Sequence, residues 1–184
     1  MTDRIIARWQ GWSGDSLEHL VLNQKSGEFI ADSAILAKLE GEPIAVRYRI
    51  QCDSRWRVRK AEIARIGDDR TVELASDGAG NWVDRSGATQ PHLQGAIDID
   101  ISVTPFTNTF PIRRLKLQQD QSAEILVVYI SLPTLDVITD RQRYTCLDTR
   151  HYRYESVDSD FNRDIEVDEH GLVTTYPGLF RRLD

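Results

Sequence analysis

Alternation of apolar and polar residues dominates this chain. Val46, Tyr48 and Ile50 alternate with Arg47, Arg49 and Gln51, and Trp56 and Val58 with Arg57 and Arg59. Ile97, Ile99 and Ile101 alternate with Asp98, Asp100 and Ser102. A period of two marks a strand with one face buried and one wet. Residues 125–132 form a longer aliphatic, β-branched run, the pattern of a strand covered on both faces. Further strands are predicted over 143–147, 152–156, 165–167 and 172–176. The turn signals Ser26-Gly27, Gly41-Glu42-Pro43, Asp77-Gly78 and Ser86-Gly87 separate these runs.

Helical periodicity is scarce. Residues 33–39 fit a short helix or a strand. The better helix signal is Thr104-Pro105, an N-cap followed by proline at the first helical position. Phe106, Phe110 and Leu115 then roughly share a face. Pro111 clashes with a continuous helix, so one short or interrupted helix is expected. With no repeat, low-complexity segment or long linker, residues 1–184 are expected to form one mainly β domain.

Composition narrows the function. Charged residues make up 28% and hydrophobic ones 40% of the 184 residues, which describes a soluble globular protein rather than a disordered one. No apolar run reaches the ~18 residues of a membrane span, so no integral membrane segment is expected. The net charge is −6, from 29 acids and 23 bases. The bases are scattered among acids, in Arg113-Arg114, Arg181-Arg182 and the stretch 55–60, which argues against a nucleic-acid partner. The N-terminal apolar run breaks at Arg8, too soon for a secretion signal. A cytoplasmic location, with Cys52 and Cys146 reduced, is therefore expected.

Three motifs carry possible chemistry. Gly14-Asp15-Ser16-Leu17 resembles the nucleophile block of the GDSL hydrolases, and Asp148-Thr149-Arg150-His151 supplies an acid and a base. Those enzymes need an α/β fold and an internal Gly-x-Asn-Asp block, and the sequence offers neither. A turn accounts for Gly14-Asp15. Asp158 to Glu169 has the acid spacing of a calcium loop, but Arg163 stands where a glycine is needed, and the flanks read as strands. His19, His92, His151 and His170 lie at no zinc spacing. Neither a cofactor nor a metal is expected.

A longer stretch is more specific. Residues 97–115, Ile-Asp-Ile-Asp-Ile-Ser-Val-Thr-Pro-Phe-Thr-Asn-Thr-Phe-Pro-Ile-Arg-Arg-Leu, resemble the signature of the putative glycolipid-binding family of bacteria. The likeness extends to Trp9, Glu18-His19-Leu20, 48–53, 56–59, Gln142-Arg143-Tyr144, 168–173 and 176–182. It implies a long, curved antiparallel sheet wrapped around a single helix, remotely like the lipoprotein carriers. It also implies a homodimer and a glycolipid or sugar ligand in an acidic pocket, with no established reaction.

Within the signature, Asp98 and Asp100 share one strand face about 7 Å apart. They are candidates for accepting hydrogen bonds from sugar hydroxyls, or else acids that simply face water. Asn108, Arg113 and Trp56 complete the candidate ligand set, Trp56 as a stacking platform. Asn108 can instead cap the helix, and Arg113 or Arg114 can pair with the acids. The competing class is a hydrolase acting through Ser16 or through paired carboxylates.

Overall fold

The computed structural model describes residues 3–183. The first half contains β1 (Asp3–Gly11), β2 (Ser16–Lys25), β3 (Glu28–Leu39), β4 (Glu42–Cys52), β5 (Val58–Arg65), β6 (Thr71–Ser76) and β7 (Trp82–Asp84). After β8 (Asp98–Ile101) comes α1 (Thr109–Leu115). Six strands follow: β9 (Ser122–Ser131), β10 (Asp136–Cys146), β11 (His151–Ser156), β12 (Asn162–Val167), β13 (Val173–Tyr176) and β14 (Phe180–Leu183).

All fourteen strands belong to one open sheet, ordered β7-β6-β5-β4-β3-β2-β1-β14-β13-β12-β11-β10-β9-β8. Two antiparallel meanders meet where β1 pairs with β14, with Trp9 opposite Arg182. Only β8 and β9 run parallel, and α1 lies in the crossover that such a pair requires. The expected β architecture with a single α-helix among the described residues is present.

The wrapped sheet encloses two cores. The first is aliphatic and indole-rich, with Trp9, Leu20, Ile35, Ile50, Ile63 and Trp82. The second is built on Tyr144, Tyr152, Tyr154 and Tyr176, with Ile165, Val167 and Val173. Between them stand β8 and β9. Ile99, Ile101, Val128 and Ile130 join the first core. Asp98 and Asp100 pair in register with Val127 and Tyr129, on the opposite face of the same strands. The helical segment also divides, giving Phe106 and Phe110 to the first core and Ile112 to the second.

The two ends of the sheet are tied together at a seam. Gly95 N donates to Gly80 O at 2.9 Å, and Trp82 Nε1 donates to Ala96 O at 2.7 Å. Gly80 has φ +93°, and a Cβ there would lie 2.8 Å from Gly95 Cα. Only glycine lets the two backbones approach this closely.

The helix starts later than the sequence suggests. Residues Phe106–Asn108 form a 3-10 turn, and Thr104 Oγ1 accepts from Phe106 N at 3.0 Å, so Thr104 caps that turn. The α-helix proper begins at Thr109, which puts Pro111 in its first turn. The N–H groups there need no intrahelical acceptor, so the proline is tolerated. Ile112 is buried where Leu115 was expected, because Leu115 is only half-buried. Lys116 closes the helix in a left-handed conformation at φ +51°. Residues 33–39 belong to strand β3. Trp56, expected in a strand, sits in the preceding turn at φ +61°.

Candidate functional site

Asp98 and Asp100 do share a face, but that face turns away from water towards the second core. Asp98 is 0% exposed and receives Arg114 Nε at 3.0 Å. Burial raises its pKa and the Arg114 guanidinium opposes the rise. This acid is therefore committed to a structural ion pair. Asp100, two residues on, reaches a cavity.

That cavity holds about 350 Å³, within the range of small-ligand sites. Its polar floor comes from β8, the 3-10 turn and β10. Asp100 Oδ1 accepts from Thr107 Oγ1 at 2.7 Å. Gln142 Nε2 donates to Asp100 Oδ2 at 2.8 Å and to Asp140 Oδ2 at 3.1 Å, so one amide bridges two carboxylates. Asp140, Gln142 and Tyr144 alternate along β10 and so project to one side of the sheet. Burial raises the Asp100 pKa; its hydrogen bonds to Thr107 and Gln142 oppose this, while the Asp140 charge adds to it.

Aromatic rings make the walls. Tyr129, Tyr154, Phe161, Tyr176 and Phe180 line the cavity. Tyr154 packs edge-on to Tyr144 at 5.5 Å and to Phe161 at 5.9 Å, which fixes its ring. Burial first, and then the Asp100 charge, push the pKa values of Tyr129, Tyr154 and Tyr176 upwards, so all three remain neutral hydroxyls. At the mouth Ile138 is 54% and Leu179 38% exposed. The exposed Trp12 is tied next to this mouth by its backbone N–H, which donates to Leu179 O at 2.8 Å.

The other sequence candidates divide. Asn108 lines the cavity, with Nδ2 donating to Pro105 O at 3.0 Å and Oδ1 accepting from Tyr144 Oη at 2.8 Å. Those bonds also lock the start of the helix against the tyrosine core. Trp56 and Arg113 lie elsewhere. Trp56 stacks on Phe29 at 4.0 Å in the first core, with the Arg113 guanidinium 5.5 Å from its ring centroid. Trp56 is 6% exposed and offers no open face to a sugar.

Of the motifs, Gly14 lies in a turn at φ +86° and Ser16 opens β2. The Asp148–His151 pair, 2.9 Å apart, sits at the start of β11. Five strand spacings separate β2 from β11, about 24 Å along the sheet. They form no triad. Residues 157–160 connect β11 to β12 as a turn, and no group of three metal-ligating side chains occurs among the described residues. Both cysteines are free and buried.

Asp140, Gln142 and the cavity tyrosines escaped the sequence reading. Their signal was present, because Asp140 and Gln142 fall on the same parity as the apolar Tyr144, where a solvated strand would place its polar residues opposite.

A second acidic centre lies in the first core. Glu18 is 2% exposed, and its Oε1 accepts from Ser33 Oγ at 2.7 Å and Tyr48 Oη at 2.6 Å. Its Oε2 has no hydrogen-bond partner. Burial pushes its pKa up to about 7.

A wrapped, mainly antiparallel sheet around one α-helix among the described residues, with a cavity lined by carboxylates and aromatic rings, defines the class of fold. Residues 6–182 match the family model described as "Putative glycolipid-binding", and the chain belongs to that family. It is similar to a DUF1089 family protein from Pseudomonas aeruginosa, whose crystal structure superposes with a TM-score of 0.84 at 42% identity over 92% of each chain. No curated protein matches the chain.

Proposed function

We propose that residues 1–184 form a non-catalytic binding domain for an amphiphile with a sugar head group. The head group occupies the cavity floored by Asp100 and Asp140, and the tail lies on Ile138, Leu179 and Trp12. The observation that carries this reading is the polarity gradient of the cavity, from paired carboxylates to exposed aliphatic side chains. Carboxylates accept hydrogen bonds from vicinal hydroxyls, each worth about 1.5–3 kcal/mol, and tyrosine faces pack against the apolar face of a sugar ring. The hydrolase alternative has less support. Ser16 Oγ has no basic partner among the described residues, and Asp98 is held by Arg114.

Calorimetric titration with n-octyl β-D-glucoside, below its micelle concentration, tests the reading. Binding by the unmodified protein, weakened about tenfold by Asp100→Asn, is expected. Heat that the substitution leaves unchanged contradicts it.

We also propose a cytoplasmic homodimer. The edge strands β7 and β8 are short and tied at the seam, so edge pairing is not its basis. Support comes from the outer face, where Leu17, Leu36 and Ile66 are 46%, 62% and 56% exposed along one row of β2, β3 and the end of β5. Light scattering should give the dimer mass, falling to the monomer for Leu36→Lys; a monomer mass for the unmodified protein contradicts it. Among the described residues no helix is long and apolar enough to cross a membrane.

A further inference from the structure

The head-group class of this same site follows from a missing counter-charge, on the reading above that the cavity binds a ligand. Elsewhere the enclosed acids have partners. Asp98 faces Arg114, Asp53 faces Arg57 at 2.7 Å and Asp168 faces Arg182 at 3.0 Å. Glu18 is held in its neutral form by burial up to about pH 7. Asp100 and Asp140 differ. Their protein donors are the neutral Thr107 and Gln142, and neither carboxylate lies in an ion pair among the described residues. Among the described residues, no lysine, arginine or histidine lines the cavity. The Arg163 guanidinium lies over the Phe161 ring at 4.8 Å and is not part of the lining, and that of Arg114 is bound to Asp98.

Two adjacent carboxylates in a partly enclosed pocket repel one another and are incompletely solvated. An organic cation relieves both costs at once. The aromatic walls favour the same ligand, because ring faces attract an ammonium group through their quadrupoles, more strongly once water is excluded. We propose that the site selects an ammonium-bearing head group, such as an amino sugar, over neutral and anionic ones. The ammonium sits between Asp100 and Asp140 under Tyr154, while hydroxyls of the same head group meet Asn108 and Tyr129.

A matched set of probes separates this inference from the sugar reading. Glucosamine (at a pH where its amine is protonated), glucose, glucuronate and tetramethylammonium are titrated by protein-observed NMR into the unmodified protein. The expected order is glucosamine about tenfold tighter than glucose, with glucuronate weakest. Asp140→Asn is expected to erase most of the glucosamine advantage, weakening glucosamine by a clearly larger factor than glucose. Should that variant unfold, added salt provides the second test, weakening glucosamine selectively. Equal binding of glucose and glucosamine overturns the ammonium inference but keeps the sugar site. Binding of tetramethylammonium alone supports the inference and overturns the sugar reading. Tightest binding by glucuronate overturns the inference, and no binding by any probe overturns both.

Discussion

The molecule encloses two acidic centres and treats them in opposite ways. In the aliphatic half, Glu18 is sealed beneath Tyr48 and Ser33, with Thr104 also close to its carboxyl. In the tyrosine half, Asp100 and Asp140 share an amide and open through an apolar mouth. The sealed carboxyl avoids an unpaired buried charge by holding its proton. The open pair has an alternative, since a ligand can reach it. Access, rather than burial alone, separates an acid that serves the fold from acids available for binding.

The largest predicted effect removes the cation from the sealed interior. Arg114→Met leaves Asp98, 0% exposed, without its partner, and should cost about 3–5 kcal/mol in urea unfolding. A loss below about 1 kcal/mol would show that Asp98 finds another solution, such as protonation.

Glu18 comes next, and its effect has a definite sign. The folded-state pKa of about 7 lies above the ordinary 4.5, so the native state binds the extra proton. Stability is therefore greatest below about pH 4.5, as far as this group is concerned. It falls as pH rises from about 4.5 to about 7 and is flat above. A shift of this size corresponds to a total on the order of 3 kcal/mol. Glu18→Gln should flatten this slope, and an unchanged slope in that variant would contradict the sealed-acid account.

At the open centre the same kind of substitution should spare the fold. Asp140→Asn should change stability by no more than about 0.5 kcal/mol, because the residue is only half-buried and the asparagine amide oxygen can go on accepting from Gln142 Nε2. A loss of several kcal/mol would make Asp140 a structural acid like Asp98. Smallest of all, Ser16→Ala should leave melting temperature and ligand binding unchanged, since Ser16 merely opens a strand after a turn. Loss of binding in that variant would reopen the hydrolase motif.

Much of this fold was legible from alternation. The isoleucines at 99 and 101 pack as their period demands, and the apolar run ending at Leu132 is buried on both faces, as at Val127 and Val128. The candidate site was half legible. Asp100 and Asn108 lie in the signature stretch and reach the cavity. Asp98, Arg113 and Trp56 lie at equally suggestive positions and do not. A strand period assigns residues to a face but does not say what covers that face. Here the sheet curls back, so the face bearing the aspartates meets a tyrosine core in place of water. The partners that complete the site, Asp140 and Gln142, come from β10, about forty residues along the chain, and no local pattern links them to Asp100.

The most direct test of the central claim is to map backbone amide shifts in the unmodified protein as n-octyl β-D-glucosamine is added. The account predicts changes centred on residues 100–108, 129, 138–142, 154–161 and 176–180, with the amides around Glu18 and the outer face near Arg47 still. Shifts centred on the outer face, with the Asp100–Asp140 cavity unmoved, would contradict it.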